Sequence, residues 1–445
     1  MSAQRLRRVR ERCGRGLQGK SKVSFAQFVW GMVMQALSSG GTLGHHVRTM
    51  SNVSISDEAA IQRRAGLSWE WFEELFAEVL RPRAQHECHP LSFYHGHRLL
   101  GVDGSQWSLR NTRAIGSRAG ARHRNASREA AFYKFSGAVL VELGTHQPLA
   151  AARGLPCAQG MAGELTLARE LLGSIPKKED TLLLADRYYG SARFIADVRH
   201  AAGARCQLLV RVKSSCKTRV LDKLSDGSAL VETRVCQPGT TRPAGTLQLR
   251  EIRGEVWRQP SQKDQEGEMA PPERTEVRLW TTLLDEQKHP AVELLALYAK
   301  RWEQELFFGE LKRHTGRQHL MRATTLEGAE TEFGANILAA SLLAAHRVKT
   351  AQSVSLEPVR ISVDKIGSAL EALLPVLSIA GSLITARQRQ GIITKFLEHM
   401  ARESIIRPRR ARTCQRGVRK PQDSWPRIHE RSSRNGHFEF KLIPW

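Results

Sequence analysis

Four side chains in the C-terminal half of the sequence fall on one helical face. Tyr298, Arg301, Glu305 and Lys312 follow one another at offsets of three, four and seven residues, and at roughly 100° per residue they lie within an arc of about 60° on an α-helix. One carboxylate, two cations and a phenol on a single stripe suit a site that binds a metal ion and several phosphate oxygens together. The same stripe also reads as a solvated face knitted by i, i+4 pairs such as Arg301 with Glu305, an arrangement that is common and weakly stabilising. Two aspartates favour the first reading. Asp103 follows the apolar run Leu99 to Val102 and Asp186 follows Thr181 to Ala185, so each acid closes a buried strand at the rim where open α/β sheets hold their ligands. If the helix packs across that rim, Glu305 joins them, and three carboxylates can hold two divalent ions about 4 Å apart. One ion lowers the pKa of the attacking water or hydroxyl and the other stabilises the leaving oxygen of an in-line displacement at phosphorus. Oxygen donors that share their cation with phosphate point to Mg2+, with Mn2+ as a substitute.

The elements that must position these groups are legible as runs and punctuation. From Arg98 the pattern predicts a strand over Leu99 to Val102, a turn at Gly104, a second strand over Gln106 to Arg110, and a third over Phe135 to Leu143 with its turn at Gly144 to Gln147. A helix over Glu164 to Leu172, the strand ending at Ala185, a helix over Ser191 to Ala202 and a strand over Cys206 to Val212 follow. Alternation of this kind predicts an α/β fold with a mixed sheet, because short turns join its first strands. Between Lys213 and His289 the strand-like runs Arg219 to Leu221, Leu230 to Val235, Thr246 to Arg250 and Val277 to Leu283 predict a β-rich insertion, interrupted by the polar link Gln259 to Glu273. A long helix is expected from Pro290 to about His314, with Trp302 anchoring it to the sheet, then helices over Thr325 to Thr350 and Ser362 to Leu374. Residues 1–97 read as helical and basic: an apolar stripe over Phe25 to Leu37, a cap at Ser56-Asp57-Glu58, and a helix over Trp69 to Leu80.

Composition narrows the partner. Lysine and arginine number 68 against 44 acidic residues, a net charge of +24 that draws the chain to a polyanion. The loop Arg113 to Arg128 carries Arg113, Arg118, Arg122, Arg124 and Arg128 beside the expected site, and the tail repeats the bias at Arg407, Arg409, Arg410, Arg412, Arg416, Arg419 and Lys420. Both read as DNA-backbone tracks, with solvated charged loops as the alternative. No apolar stretch has the length of a signal peptide or a membrane span, which predicts a cytoplasmic, nucleoid-associated protein with no membrane partner. Seven cysteines without a CxxC pair predict reduced thiols, and His86, Cys88 and His89 lack a second ligand pair at zinc spacing.

The run Tyr298-Ala-Lys-Arg301-Trp-Glu-Gln-Glu305-Leu-Phe-Phe-Gly-Glu-Leu-Lys312 resembles the Tyr-x2-Arg-x3-Glu-x6-Lys signature of bacterial insertion-sequence DDE transposases, with every spacing met. It lies downstream of Val102-Asp103-Gly104 and Ala185-Asp186-Arg187-Tyr188-Tyr189. The resemblance is close over residues 99–312 and loose at the ends. It implies a ribonuclease H-like catalytic domain (98–213 and 290–320), a β-stranded insertion (214–289), a helical end-binding domain (1–97) and a helical C-terminal region with a basic tail (321–445). It also implies Asp103, Asp186 and Glu305 as catalytic and metal-binding acids. Arg301 and Lys312 would then hold phosphates beside the scissile bond, with Tyr298 on a terminal phosphate and Arg187 on DNA, and Trp280 stands where hairpin-forming members receive a flipped base. An ordinary core tryptophan is the other reading of Trp280. The implied activity is cut-and-paste transposition on double-stranded DNA, transposon inverted-repeat ends and target alike, by a homodimer. A ribonuclease H-like nuclease or resolvase without strand transfer, and an inactive DNA-binding derivative, are the alternatives.

Overall fold

The structure is a computed structural model. It describes residues 22–38, 40–120, 124–125, 128–129, 132–155, 163–237, 240, 242–258, 273–314, 320–406, 417–418, 427–428 and 438–443. The first described helix is α1 (Phe25–Leu37), whose start is fixed by a reciprocal cap: Gln27 N–H donates to the Ser24 hydroxyl at 3.3 Å and Ser24 N–H donates to Gln27 Oε1 at 2.9 Å. Thr42 caps α2 (Leu43–Ser51), a helix too polar to stand out in the sequence. Ser56 caps α3 (Asp57–Ala65), whose first turn carries Asp57 and Glu58, and α4 (Trp69–Val79) follows. Next come strands β1 (His97–Leu109), β2 (Tyr133–Glu142) and β3 (Gln147–Gly154), helix α5 (Glu164–Leu171), strand β4 (Thr181–Ala185), helix α6 (Ala192–Ala202) and strand β5 (Cys206–Arg211).

The strands β6 (Arg219–Lys223), β7 (Ala229–Cys236), β8 (Pro243–Arg258) and β9 (Glu273–Thr281) lie where the β-rich insertion was expected. Helix α7 (Ala291–Tyr298) then gives way to a 3₁₀ turn over Ala299–Arg301 before α8 (Trp302–His314). Helices α9 (Leu326–Ser353), α10 (Val363–Ile379) and α11 (Ala386–Glu403) complete the helical region, and strand β10 (Phe438–Leu442) lies near the C-terminus. Of the polar link expected over Gln259 to Glu273 only its last residue, within β9, is described, and the basic tail from Arg407 lies outside the described residues apart from short strands. Among the described residues no helix is long and apolar enough to cross a membrane.

Two expectations need correction. Gly104 does not turn the chain: β1 runs through it as one strand of 13 residues, so Asp103 sits mid-strand, paired with Val139 of β2. Gly104 lies outside the left-handed region. A Cβ there would overlap the side chain of Glu164, so the glycine admits α5 against the strand rather than reversing it. The single long helix from Pro290 is instead two helices joined by the 3₁₀ turn, and a tighter turn changes the direction in which all later side chains point.

The chain divides into two compact units. The first comprises residues 1–184, 197–206 and 301–406, and the second 185–196, 207–300 and 407–445. In the first, β2 lies antiparallel to both β1 and β3, and β4 lies parallel to β1, giving the order β3-β2-β1-β4. A central first strand with an antiparallel meander on one side and a parallel strand on the other is the ribonuclease H-like arrangement, a mixed α/β sheet flanked by helices. The N-terminal helices are part of this unit rather than a separate head. Trp69 stacks on Phe333 of α9 at 6.0 Å, and Phe72 packs so close to Gly334 that a Cβ there would overlap the ring. One continuous core joins them to Trp107, Phe135 and Phe307. The polar seam is as specific: buried Glu142 accepts the backbone N–H groups of Arg83 (3.1 Å) and Ala84 (3.0 Å) and pairs with Arg98.

In the second unit β5 pairs with β9, β9 with β8, β8 with β7 and β7 with β6, all antiparallel, while β10 adds to β8 from Gly254 to Arg258. Arg250 is fully buried there. It donates to Ser228 Oγ at 2.8 Å and to the His289 carbonyl at 2.7 Å, and it pairs with Asp226. Asp226 in turn accepts the Ala291 N–H at 2.8 Å, so a buried ion pair fixes where α7 begins.

Candidate functional site

Alternation along β1 sends Gly101, Asp103 and Trp107 to one face of the first unit's sheet, and α8 covers that face. Gln304, 1 % exposed, lies against Gly101, where a Cβ would stand 2.5 Å from its Oε1. Its Nε2 donates to the Val139 carbonyl at 3.2 Å, the carbonyl of the residue paired with Asp103. One turn on, the Phe308 ring meets Trp107 at 6.3 Å, and Lys312 Nζ sits 5.4 Å from the Trp107 ring centroid. Asp103 therefore lies beneath the stretch of helix that carries Glu305. Both acids belong to the first unit, with α8 held by Gln304 on one side of Asp103 and by Phe308 and Lys312 on the other.

The contacts of the individual acids are local. Gly104 N–H donates to Asp103 Oδ1 at 2.8 Å. Glu305 accepts from Arg301 at 2.8 Å, an i, i+4 pair in which the guanidinium is the more buried partner. Asp186 belongs to the second unit and accepts the Arg187 N–H at 2.6 Å, capping the short 3₁₀ turn over Arg187–Tyr189. Tyr298, also in that unit, donates its hydroxyl to the Ala185 carbonyl at 3.2 Å. The signature is thus divided at the boundary after Lys300, with Tyr298 on one side and Arg301, Glu305 and Lys312 on the other. The field of Asp103 reaches Lys312. Burial holds the Lys312 ammonium below the usual lysine range, Lys134 pushes it the same way, and Asp103 opposes them.

Among the described residues no three His, Cys, Asp or Glu side chains are grouped so as to hold a metal ion. The donors in question are nevertheless hard carboxylate oxygens suited to Mg2+, and none of the three acids is sealed in the core.

Other expected contacts fare unevenly. Arg187 is exposed. Arg118, 60 % exposed, forms an ion pair with Glu327. Arg122 lies outside the described residues, and of Arg124 only the backbone is described, in a two-residue strand. Trp280 is 1 % exposed, with Nε1 donating to Glu251 Oε2 at 2.9 Å. It is a core residue of the second unit with no face open to a base, and packing explains it. Trp302 departs from the other expectation: it is 41 % exposed, and Gln304, Phe307, Phe308 and Leu311 take the inward face. Sequence reasoning passed over Gln304 and Lys134. A lone glutamine gives no signal of burial, and Lys134 stands one residue before the apolar run that marked its strand.

Residues 94–342 match the transposase DDE domain family. The chain is also similar to the transposase InsG for insertion sequence element IS4 of Escherichia coli (strain K12), with 24 % identity over 340 residues, covering 75 % of this chain and 72 % of that one. A weaker likeness in the solved structures is to the piggyBac transposase in its synaptic complex with hairpin DNA, at a TM-score of 0.41 and 9 % identity over 88 % of this chain and 81 % of the other. Since the family match covers more than half of the sequence, the chain belongs to the transposase DDE domain family.

Proposed function

We propose that this transposase cuts double-stranded DNA at the inverted-repeat ends of its element and joins the freed 3′-hydroxyl to target DNA, with Asp103, Asp186 and Glu305 as its carboxylate set. The reading places it in the Tyr-Arg-Glu-Lys group, acting as a homodimer in the cytoplasm. The observation that supports it is the register of α8 on β1: Gln304, the residue before Glu305, lies against Gly101 and donates to the Val139 carbonyl, Val139 being the partner of Asp103. Bound between the three acids, Mg2+ or Mn2+ would lower the pKa of the attacking oxygen and stabilise the leaving one. The protein's own groups set the geometry. Glu305 would share or give up its Arg301 contact to take a cation, which leaves that guanidinium for a phosphate oxygen. Tyr298 holds the carbonyl of Ala185, the residue before Asp186, and so fixes the direction in which that acid leaves its strand.

The test is magnesium-dependent cleavage of a duplex carrying the inverted repeat that flanks the gene. Asp103→Ala, Asp186→Ala and Glu305→Ala should each lower the cleavage rate by roughly 10³-fold or more while DNA affinity stays near that of the wild type. Wild-type cleavage by any of the three removes the proposal. Joining of pre-cut ends to a target plasmid distinguishes a transposase from a nuclease.

A further inference from the structure

Strand β3 ends the sheet of the first unit. β2 pairs with one of its edges, and among the described residues no strand pairs with the other. Residues 150–152 pair in register with Leu140, Val139 and Ala138, so alternate residues here direct their N–H and C=O away from β2. Those outward groups have no hydrogen-bond partner among the described residues. A free edge is ordinarily blunted by charge, by proline or by a covering element. Leu149, Ala150, Ala151 and Ala152 supply neither charge nor proline. The edge is recessed instead: these four residues line a groove of about 520 Å3 whose other walls are Phe76 of α4, Leu80 just beyond it and Leu171 of α5. That volume lies within the range of ligand sites. The surrounding charge is acidic in a basic chain. α4 carries Glu70, Glu73, Glu74 and Glu78 and no lysine or arginine, against a net charge of +24 for the whole. Glu73 and Glu170 line the groove from α4 and α5, both exposed and neither in an ion pair among the described residues. Burial raises the Glu170 pKa, Arg153 pulls it down and Glu73 pushes it up, so the two carboxylates repel each other. Arg153 is paired with Glu330 at 2.8 Å, and among the described residues Arg81 is the one cation that lines the groove.

We propose that the edge of β3 takes an extended, basic segment of another protein as an added strand, with a lysine or arginine of that segment between Glu73 and Glu170. The unpaired edge selects a peptide backbone, since alternating N–H and C=O groups are met best by a second strand. The carboxylates select a cation, and the apolar walls select small aliphatic side chains between the charges. DNA has the wrong sign for this face, so the groove serves a partner other than the substrate of the carboxylate site.

The probe is the fluorescein-labelled peptide amide Lys-Val-Thr-Val-Lys, titrated into the DNA-free full-length protein and followed by fluorescence anisotropy. Binding should saturate, and replacing both lysines of the peptide by glutamate should abolish it. Two N-methylated forms carry the methyl groups at positions 2 and 4 or at positions 3 and 5. One form should bind roughly tenfold or more weakly and the other nearly as well as the parent, because only alternate N–H groups face β3. The double variant Glu73→Gln, Glu170→Gln should bind the parent peptide about tenfold more weakly. Ala77→Trp, which fills the groove from an exposed position of its lining, should abolish binding without lowering the melting temperature. Absence of saturable binding overturns the proposal, as does equal loss in the two N-methylated forms or undiminished binding to Ala77→Trp. If the wild type sediments as an oligomer that Ala77→Trp dissociates, the groove belongs to a second copy of the chain, and its assignment to another protein fails.

Discussion

Glu305 owes its place to the residue before it. The Gln304 amide donates to Val139 while its Oε1 is buried without a hydrogen-bond partner, so the side chain contributes less to stability than a fully satisfied amide would. Gln304→Met keeps the volume and removes both polar groups. The folded state should shift by no more than about 1 kcal/mol, because the loss of a donor to Val139 is offset by the loss of an orphaned oxygen. Single-turnover cleavage should fall by about tenfold as the helix loses its register over Asp103. Thermal melts and rapid-quench cleavage measure the two effects, and a rate loss no larger than the loss of folded protein would reduce Gln304 to packing. At this scale the sequence speaks clearly where residues of unlike chemistry recur at fixed offsets, as Tyr298, Arg301, Glu305 and Lys312 do. It is silent where a polar side chain is buried for geometry, as Gln304 is. The tryptophans show the same limit, since indole is selected both by packing and by stacking, and only the environment tells Trp280 from a base receptor.

The helix that carries Glu305 is stapled by a buried histidine. His146, 4 % exposed and in a left-handed turn, places Nδ1 2.7 Å from Glu310 and Nε2 2.9 Å from Glu303, both on α8, and Arg347 of α9 pairs with Glu310 at 2.5 Å. Burial alone would lower the His146 pKa, but the two carboxylates outweigh it together with the Arg347 charge, and the net shift is upward. Glu310 is held far below the usual carboxylate range by His146 and Arg347 despite its burial. A raised histidine pKa stabilises the fold fully below the unfolded value of 6.5, and that contribution is lost as pH rises through the folded pKa. A depressed glutamate stabilises above its unfolded 4.5, and that is lost only at strongly acid pH. The staple should therefore be strongest between about pH 4.5 and 6.5. His346 titrates in the opposite sense, its pKa pushed down to about 4 by burial and by Lys349 and Arg83, so the measurement must be a difference. His146→Asn tolerates the left-handed backbone, and its Tm deficit against wild type should be greatest near pH 5.5 and shrink toward pH 9. A constant deficit would show that His146 is neutral in the folded protein. Elements of this kind were legible as runs, but their joints were not. The pattern that reads as one helix from Pro290 contains no residue that announces the 3₁₀ turn at Ala299–Arg301, and Asp103-Gly104, a turn signal in isolation, is overridden by the pairing of β1 with β2 on either side of it.

At the scale of the molecule, the boundary suggested by composition at residue 97 is not a boundary in packing. Basic, helical sequence followed by strands reads as a head joined to a catalytic body, because pattern reports the type of each element and says nothing about which apolar faces meet. The faces meet here. Trp69 and Phe72 fill the surface of α9 around Phe333 and Gly334, and the Glu142 carboxylate, 0 % exposed, has Arg83 N–H, Ala84 N–H and Arg98 as partners. A fragment of residues 98–445 would expose the first surface and strip both backbone partners from the second, leaving Arg98 and the Thr145 hydroxyl. Leaving a buried carboxylate short of partners costs about 3–5 kcal/mol, and the loss of large aromatic side chains from a core costs a similar amount for each. Together these reach the whole stability of an ordinary domain. The fragment should therefore fail to melt cooperatively and should be degraded by trypsin under conditions where the full chain is resistant. If it were instead monodisperse, with a cooperative transition within about 5 °C of the full chain, the shared core would be a surface contact between separable parts. The N-terminal helices could then be treated as a detachable DNA-binding head. Glu142→Gln in the full chain provides the matching control, since it removes the buried charge and leaves the aromatic surface in place.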